Sequence, residues 1–244
     1  ALSVEKEAPC DGVICGYGTV NMRPVFAYAQ DFTVLGGSVG EIHGKKIAKV
    51  IDMAVKTGAP IVSMIDSGGA RIQEGSNALE GMGMIMQKTA LASGVVPQIA
   101  AVMGPCAGGA AAAATLSDFV FMTKKTSALY LSAPSMIKGE AGETTTTEEL
   151  GGAMANAETN GSCHVVCEDD EALLGAVREL LAYLPSNNLE DAPLMGEDDI
   201  NRVAPALNTL VTDDAAYDVK AAINEIADAG SVFEILPFYA KGIV

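Results

Sequence analysis

Two short stretches carry residue types suited to chemistry. In PIVSMIDSGGARIQEG, residues 60–75, an apolar run stops at Asp66 and breaks into Ser67-Gly68-Gly69-Ala70-Arg71. In PQIAAVMGPCAGGAAAAAT, residues 97–115, a second apolar run breaks at glycines, and a helix start follows. Gly68, Gly69, Gly108 and Gly109 lack a Cβ, so a ligand atom can approach their amides closely. In an open α/β sheet, ligands collect outside the carboxyl ends of parallel strands. Both loops lie there if the two runs are neighbouring strands. Two N–H groups from separate loops, aimed at one oxygen, make an oxyanion hole, and a helix start favours negative charge as well. One such donor is typically worth ~3 kcal/mol in a transition state. The bland reading is that the glycines only permit close packing, that Arg71 is a surface ion-pair residue and that Glu74 is a helix-start acid. Two such loops, each at a strand end, favour the chemical reading.

Other chemistries fit less well. Ser67 lacks the Gly-x-Ser-x-Gly elbow, and His43 and His164 are the only imidazoles. Ser135-Met136-Ile137-Lys138 matches Ser-x-x-Lys, but its Lys-Thr-Gly companion is missing. No Gly-x-x-x-x-Gly-Lys-Ser/Thr phosphate loop occurs. A thioester enolate remains, since it needs donors in place and no protein nucleophile. A hydratase would need two carboxylates near the thioester, and only Glu74 lies close to a loop. Cys10, Cys15, Cys106, Cys163 and Cys167 do not follow zinc-knuckle spacing, so no metal site is expected.

These loops need elements to hold them. Residues 12–20 and 23–32 read as strands joined by a hairpin at Asn21-Met22. Ile47, Val50, Ile51, Ala54 and Val55 have helical spacing within 38–58, closed by Gly58 and Pro60. A strand over 60–66, a helix over 77–93 and a strand over 97–103 follow, and an Ala-rich helix continues from the second loop. Further strands are expected over 118–123 and 127–132. Residues 140–162 read as loops with one short helix. A strand over 163–168, a capped helix over 169–185 and a helix over 215–230 complete the pattern. Strands alternating with helices imply an α/β fold of parallel units.

The chain has 244 residues and a formal net charge of −16, unevenly placed. Residues 1–139 hold 10 acids and 11 bases, for +1; residues 140–244 hold 21 acids and 4 bases, for −17. No basic face or stacking motif suggests nucleic acid. No apolar run approaches the ~20 residues that span a bilayer. An odd cysteine count, with no signal-peptide pattern in ALSVEKEAPC, leads to the expectation of free thiols and a cytoplasmic location.

The stretches AQDFTVLGGSVGEIHGKKIAKVIDMAVKTGAPIVSMIDSGGARIQEG and ASGVVPQIAAVMGPCAGGAAAAATLSDFVFM closely resemble the carboxyltransferase component of biotin-dependent acyl-CoA carboxylases and decarboxylases. Propionyl-CoA carboxylase β subunits, methylmalonyl-CoA carboxyltransferase and glutaconyl-CoA decarboxylase belong to that family. EELGGA, EDDEALLGAVRELLAYLPSNN and VFEILPFYAKGIV extend the resemblance over nearly the whole chain.

The resemblance implies a crotonase-like fold, a spiral of ββα units, with residues 1–244 forming a single N-terminal domain and the C-terminal biotin-binding half absent. It implies oxyanion donors at Gly69 or Ala70 and at Gly108 or Gly109, with Gly37, Gly68, Arg71 and Ala107 lining the substrate. It further implies an acyl-CoA substrate, biotin on a biotin carboxyl carrier protein, a C-terminal carboxyltransferase half as partner, and a homo-oligomer. A non-catalytic acyl-CoA-binding or assembly module is the alternative. Two positions depart from the family pattern: Asn156 stands where a histidine is usual, and Ala112–Ala114 replace an aromatic-containing stretch. The acyl group and the direction of carboxyl transfer stay open at this level.

Overall fold

The computed structural model describes residues 8–194, 199, 201–211 and 216–242. Strands β1 (Val13–Val20) and β2 (Arg23–Gln30) form an antiparallel hairpin. Asn21 and Met22, both at positive φ, make the two-residue turn whose twist suits flanking strands. Helix α1 (Glu41–Thr57) follows, burying His43, Ile47, Val50, Ile51 and Ala54 along one face. Next come β3 (Ile61–Ser67), α2 (Ser76–Ala92), β4 (Gln98–Ala107) and the short α3 (Gly109–Ala114). Strands β5 (Phe119–Thr123) and β6 (Ala128–Tyr130) precede three short helices, α4 (Pro134–Ala141), α5 (Thr147–Gly151) and α6 (Ala153–Ala155), and a π-helical turn at Asn156–Asn160. Strand β7 (Val165–Cys167), α7 (Asp170–Tyr183), α8 (Leu207–Leu210) and α9 (Val219–Ile226) complete the order.

The sheet runs β1-β2-β3-β4-β5-β7, parallel after the first hairpin. Strand β3 therefore lies beside β4, as the two-loop argument requires. β4 has two successive partners on one edge: Ile99–Val102 pair with β5, whereas Pro105–Ala107 pair with β6. The strand thus runs four residues beyond the expected end at 103. Gly104-Pro105 reads locally as a break, but a register shift against β3 between Ile65 and Ser67 absorbs the extra residues.

Side chains alternate between two cores. Ile61, Ile65 and Val102 face α1 and α2, packing with Ile47, Ile51, Met82 and Ile85. Val62, Ile99 and Phe121 face the other way, onto Leu173, Val177 and Leu181 of α7. Helices α1 and α2 cross closely enough that a Cβ at Gly44 would lie 2.4 Å from the Gly81 carbonyl oxygen. Gly81, a weak helix former by itself, is in this way the residue that the packing requires.

The region 140–162 is more helical than expected. Thr146 and Glu149 form a capping box: Thr146 Oγ1 accepts from the Glu149 N–H at 3.2 Å, and Glu149 Oε2 accepts from the Thr146 N–H at 2.9 Å. The Thr-x-x-Glu signal stands in the sequence, but the helix behind it has only five residues and little periodicity. The helix expected over 169–185 is present at 170–183, with Asp169 as its N-cap. Of the helix expected over 215–230, residues 219–226 are helical, capped by Asp218, and residue 215 lies outside the described residues.

Candidate active site

The first loop leaves β3 at Ser67, which is fully buried. Its hydroxyl donates to the Gly37 carbonyl at 2.7 Å and accepts from the Gly69 N–H at 3.2 Å. Ser67 is thus a tie within the loop, not a nucleophile. Gly68 donates its N–H to Gly36 O at 2.9 Å. A Cβ at Gly37 would fall 2.0 Å from the Asp66 carbonyl oxygen, so Gly37 is a packing residue under the loop. Ala70 forms a one-residue parallel bridge with Val39: Val39 N–H donates to Gly69 O at 2.8 Å, and Arg71 N–H donates to Val39 O at 2.9 Å. Those bonds use the groups on either side of Ala70 and turn its own N–H to the opposite edge of the strand.

The second loop meets the first. Gly69, at φ 97°, approaches β4 so closely that its Cβ would lie 2.8 Å from Ala107 O and 4.0 Å from Gly108 Cα. Gly108 sits at φ 59° and donates its N–H to Tyr130 O at 3.1 Å. The first N–H of this turn to find a helical acceptor is that of Ala112, bonded to Gly108 O at 3.2 Å. The Gly109 amide precedes it, at the open start of α3. Of the four donors expected from the sequence, Gly108 is committed to Tyr130 and Gly69 leans on Ser67. Ala70 and Gly109 are the pair whose N–H groups have no acceptor among the described residues, one from each loop. The carbonyl of Tyr130 is what separates Gly108 from Gly109, a distinction no local pattern in the sequence carries.

Arg71 is only 3% exposed. Its Nη1 reaches Asp11 Oδ1 at 2.5 Å and Glu74 Oε1 at 2.8 Å, its Nη2 reaches Ser38 O at 2.8 Å and Asp11 O at 3.4 Å, and its Nε reaches Ser38 Oγ at 3.3 Å. All five guanidinium donors therefore face acceptors within the chain. This arrangement departs from both sequence readings of Arg71, as a substrate contact and as a surface ion pair. It is a buried clamp on the residue that follows Ala70. Glu74 closes the clamp on α1, where its Oε2 accepts the Glu41 N–H at 2.8 Å. Both oxygens of Glu74 are engaged, which removes it as the acid of a hydratase. Asp11, which no motif singles out, also holds the His43 N–H at 2.7 Å.

Neither imidazole is placed as a base. His43 is fully buried, with Nδ1 2.8 Å from Asp11 O and Nε2 3.0 Å from Gln30 Nε2. The carbonyl requires an Nδ1–H tautomer, with Nε2 accepting from the glutamine amide. Burial lowers the His43 pKa to about 4, so the ring is neutral. His164 Nδ1 accepts the Val120 N–H at 2.9 Å, and burial lowers its pKa also. Ser135 and Lys138 are exposed on α4. Among the described residues no group of His, Cys, Asp and Glu forms a metal site, and burial pushes the Cys106 and Cys163 thiols up.

Asn156 is buried beside the second loop. Its Nδ2 lies 3.1, 2.9 and 3.2 Å from the carbonyl oxygens of Leu129, Gly151 and Gly152. At this position the side chain joins β6 to the α5–α6 turn. Among the described residues no helix is long and apolar enough to cross a membrane.

Known proteins resemble the chain over its whole length. The family model described as the carboxyl transferase domain matches residues 1–244. The chain is 49% identical over 243 residues to the methylmalonyl-CoA decarboxylase subunit alpha of Veillonella parvula, covering 98% of this chain and 48% of that protein. It is 46% identical over 247 residues to the propionyl-CoA carboxylase beta chain of Roseobacter denitrificans, covering 100% of this chain and 48% of that one. Among solved structures, transcarboxylase 12S with hydrolysed methylmalonyl-coenzyme A bound superposes with a TM-score of 0.94 at 42% identity, covering 97% of this chain and 47% of that one. That structure is described as a hexamer assembly. The crotonase-like fold expected from the sequence is the one observed. The chain spans about half the length of the curated relatives it matches.

Proposed function

The chain belongs to the carboxyl transferase domain family, and from that premise we propose that it is the acyl-CoA-binding half of a biotin-dependent carboxyltransferase. The observation that carries this reading is the meeting of two loops, each offering one uncommitted backbone N–H. Ala70 and Gly109 hold the thioester oxygen as charge develops on it, and Arg71 keeps the strand after Ala70 in place. Biotin, on a carrier partner and facing a C-terminal half, supplies the carboxyl group and the base in the proposed reaction. The fit lies in the donor set: burial lowers the pKa of His43 to about 4 and lowers that of the half-buried His164, and both rings are hydrogen-bonded within the chain, so the site offers amides and no imidazole base. Residues 1–244 act as one N-terminal domain, and copies of the chain assemble with one another and with that half. The second reading is a module that binds acyl-CoA or organises a complex without turnover.

Two measurements separate these readings. Calorimetric titration with free CoA and short acyl-CoAs gives tighter binding of an acyl-CoA on either reading, and absence of binding overturns both. Gly109→Pro then deletes one donor at the first helical position, where proline suits the backbone; its Cβ would stand 2.7 Å from Met82 Cγ, so Gly109→Ala, which keeps the N–H and meets the same contact, is the control. With the C-terminal half and carboxybiotin added, turnover falls about 10²–10³-fold while acyl-CoA affinity changes little. Turnover that never appears with the complementary half present leaves the module reading alone standing.

A further inference from the structure

The sheet ends on one side at β7, which has three residues, and on the other at β1, which has eight. Val13–Val20 carries no charged residue and no proline, the usual means of blunting an exposed edge. The register fixes which of its backbone groups are free. Asp31 N–H donates to Gly12 O at 2.9 Å, so the even-numbered residues of β1 bond to β2. The N–H and C=O groups of Val13, Cys15, Tyr17 and Thr19 point away from the sheet. Lys46 Nζ covers the Val13 carbonyl. Cys15, Tyr17 and Thr19 remain as an open row of three donors and three acceptors, with no partner among the described residues.

Grooves flank this row on both faces of the sheet. On the α1 side, a groove of about 360 Å³ runs along Cys15 and Tyr17, lined by Phe26, Val50 and Met53 and by Lys46 and Lys49. On the α7 side, one of about 270 Å³ runs along Gly18, Thr19 and Val20, lined by Met64, Leu174 and Arg178 among others. Val13 and Cys15 pack toward α1 and Val20 toward α7, so Gly16 and Gly18 face the α7 side. A Cβ at either glycine would meet nothing within 4 Å. A strand laid along the row would have α1 over one face and α7 over the other, and would bury apolar side chains on both. Edge glycines accept a large ring from a neighbouring strand. Lysines stand at the Cys15 end of the row and an arginine at the Thr19 end. No acid lines either groove, and Lys49 and Arg178, both exposed, have no ion-pair partner among the described residues.

We infer that β1 takes an added strand from another polypeptide, an extended segment with aliphatic and aromatic residues in its middle and an acidic residue at each end. Backbone pairing supplies the affinity, and the two grooves with their cations supply the selection. A second copy of this chain is the poorer occupant, because an antiparallel pair of β1 strands sets the lysine end of one copy against the arginine end of the other. The inference is independent of the acyl-CoA reading.

The test is fluorescence anisotropy of the whole chain with a labelled peptide, Asp-Val-Phe-Thr-Phe-Val-Glu, beside a base-ended one, Lys-Val-Phe-Thr-Phe-Val-Lys. The acid-ended peptide binds at least tenfold more tightly. Thr19→Pro removes one N–H of the open row at an exposed edge position that proline suits, and weakens that peptide at least tenfold at unchanged thermal unfolding. Lys49→Glu, at an exposed helix position that does not challenge folding, weakens it at least fivefold and leaves the base-ended peptide no weaker. Absence of binding, equal binding of the two peptides, or unchanged affinity in both variants overturns the inference. A dimer of the chain that Thr19→Pro converts to monomer in sedimentation overturns it as well, by giving the edge to a second copy.

Discussion

Replacing Arg71 by methionine removes the clamp while keeping a long apolar stem in its place. The guanidinium is 3% exposed, and its two carboxylate partners, Asp11 and Glu74, are 18% and 27% exposed. Breaking a buried ion pair from one side costs about 3–5 kcal/mol, chiefly because the stranded charge stays desolvated. Here the carboxylates reach water in part, which lowers the figure, but Ser38 O and Asp11 O also lose donors. The net expectation is a loss of about 2–3 kcal/mol. Urea unfolding read by circular dichroism measures it as a drop in midpoint at unchanged slope. Adding Asp11→Asn and Glu74→Gln should recover part of the loss, because the stranded charges go. A loss below about 0.5 kcal/mol, within the range of ordinary surface changes, would refute the buried-clamp argument.

Two further outcomes follow from packing and titration. Within α2, Gly81→Ala should destabilise by about 1–3 kcal/mol, because its Cβ would stand 2.5 Å from Gly40 O. Gly83→Ala, with nothing within 4 Å, should stabilise by up to about 1 kcal/mol; thermal unfolding of the pair gives opposite shifts or the crossing is misread. His43 has a folded pKa of about 4 against an ordinary 6.5, so the unfolded chain gains its proton first. Its contribution to stability is complete above pH 6.5, falls between pH 6.5 and about 4, and changes no further below that. His43→Gln should flatten this part of the stability–pH curve, and an unaltered curve would count against the buried neutral ring.

The sequence made the strands and the two loops legible because each is a local event, an apolar run that ends at a glycine. Neighbouring placement of β3 and β4 was a condition of the two-loop argument, and the sheet order meets it. What it left out depends on partners far along the chain. Gly108 and Gly109 look equivalent until Tyr130, 22 residues later, takes one N–H and leaves the other. Arg71 reads as a cation offered to a ligand until Asp11, 60 residues earlier, is brought against it. The continuation of β4 through Gly104-Pro105 is likewise decided by β6, whose three residues pair only with its far half. The short helices α4 to α6 lack enough turns for periodicity to speak, although the Thr146–Glu149 cap was readable.

The division of β4 between two partners also orders the growth of the molecule. Its near half meets β5 across a short connection, through α3 and the turn after it. Its far half waits for β6, and α5 and α6 then close over that strand through Asn156. The two separations are nearly equal, 20 residues from Ile99 to Phe119 and 23 from Pro105 to Ala128, so loop closure does not rank them, and the order is that in which the partners leave the ribosome. A nascent chain that has emerged only as far as Thr123 already holds every residue of both glycine loops and of strands β1 to β5 beneath them. It does not yet hold Tyr130, and so has no acceptor for the Gly108 N–H. The geometry of the second loop is in that sense a late acquisition, conferred by a strand of three residues on five strands made before it.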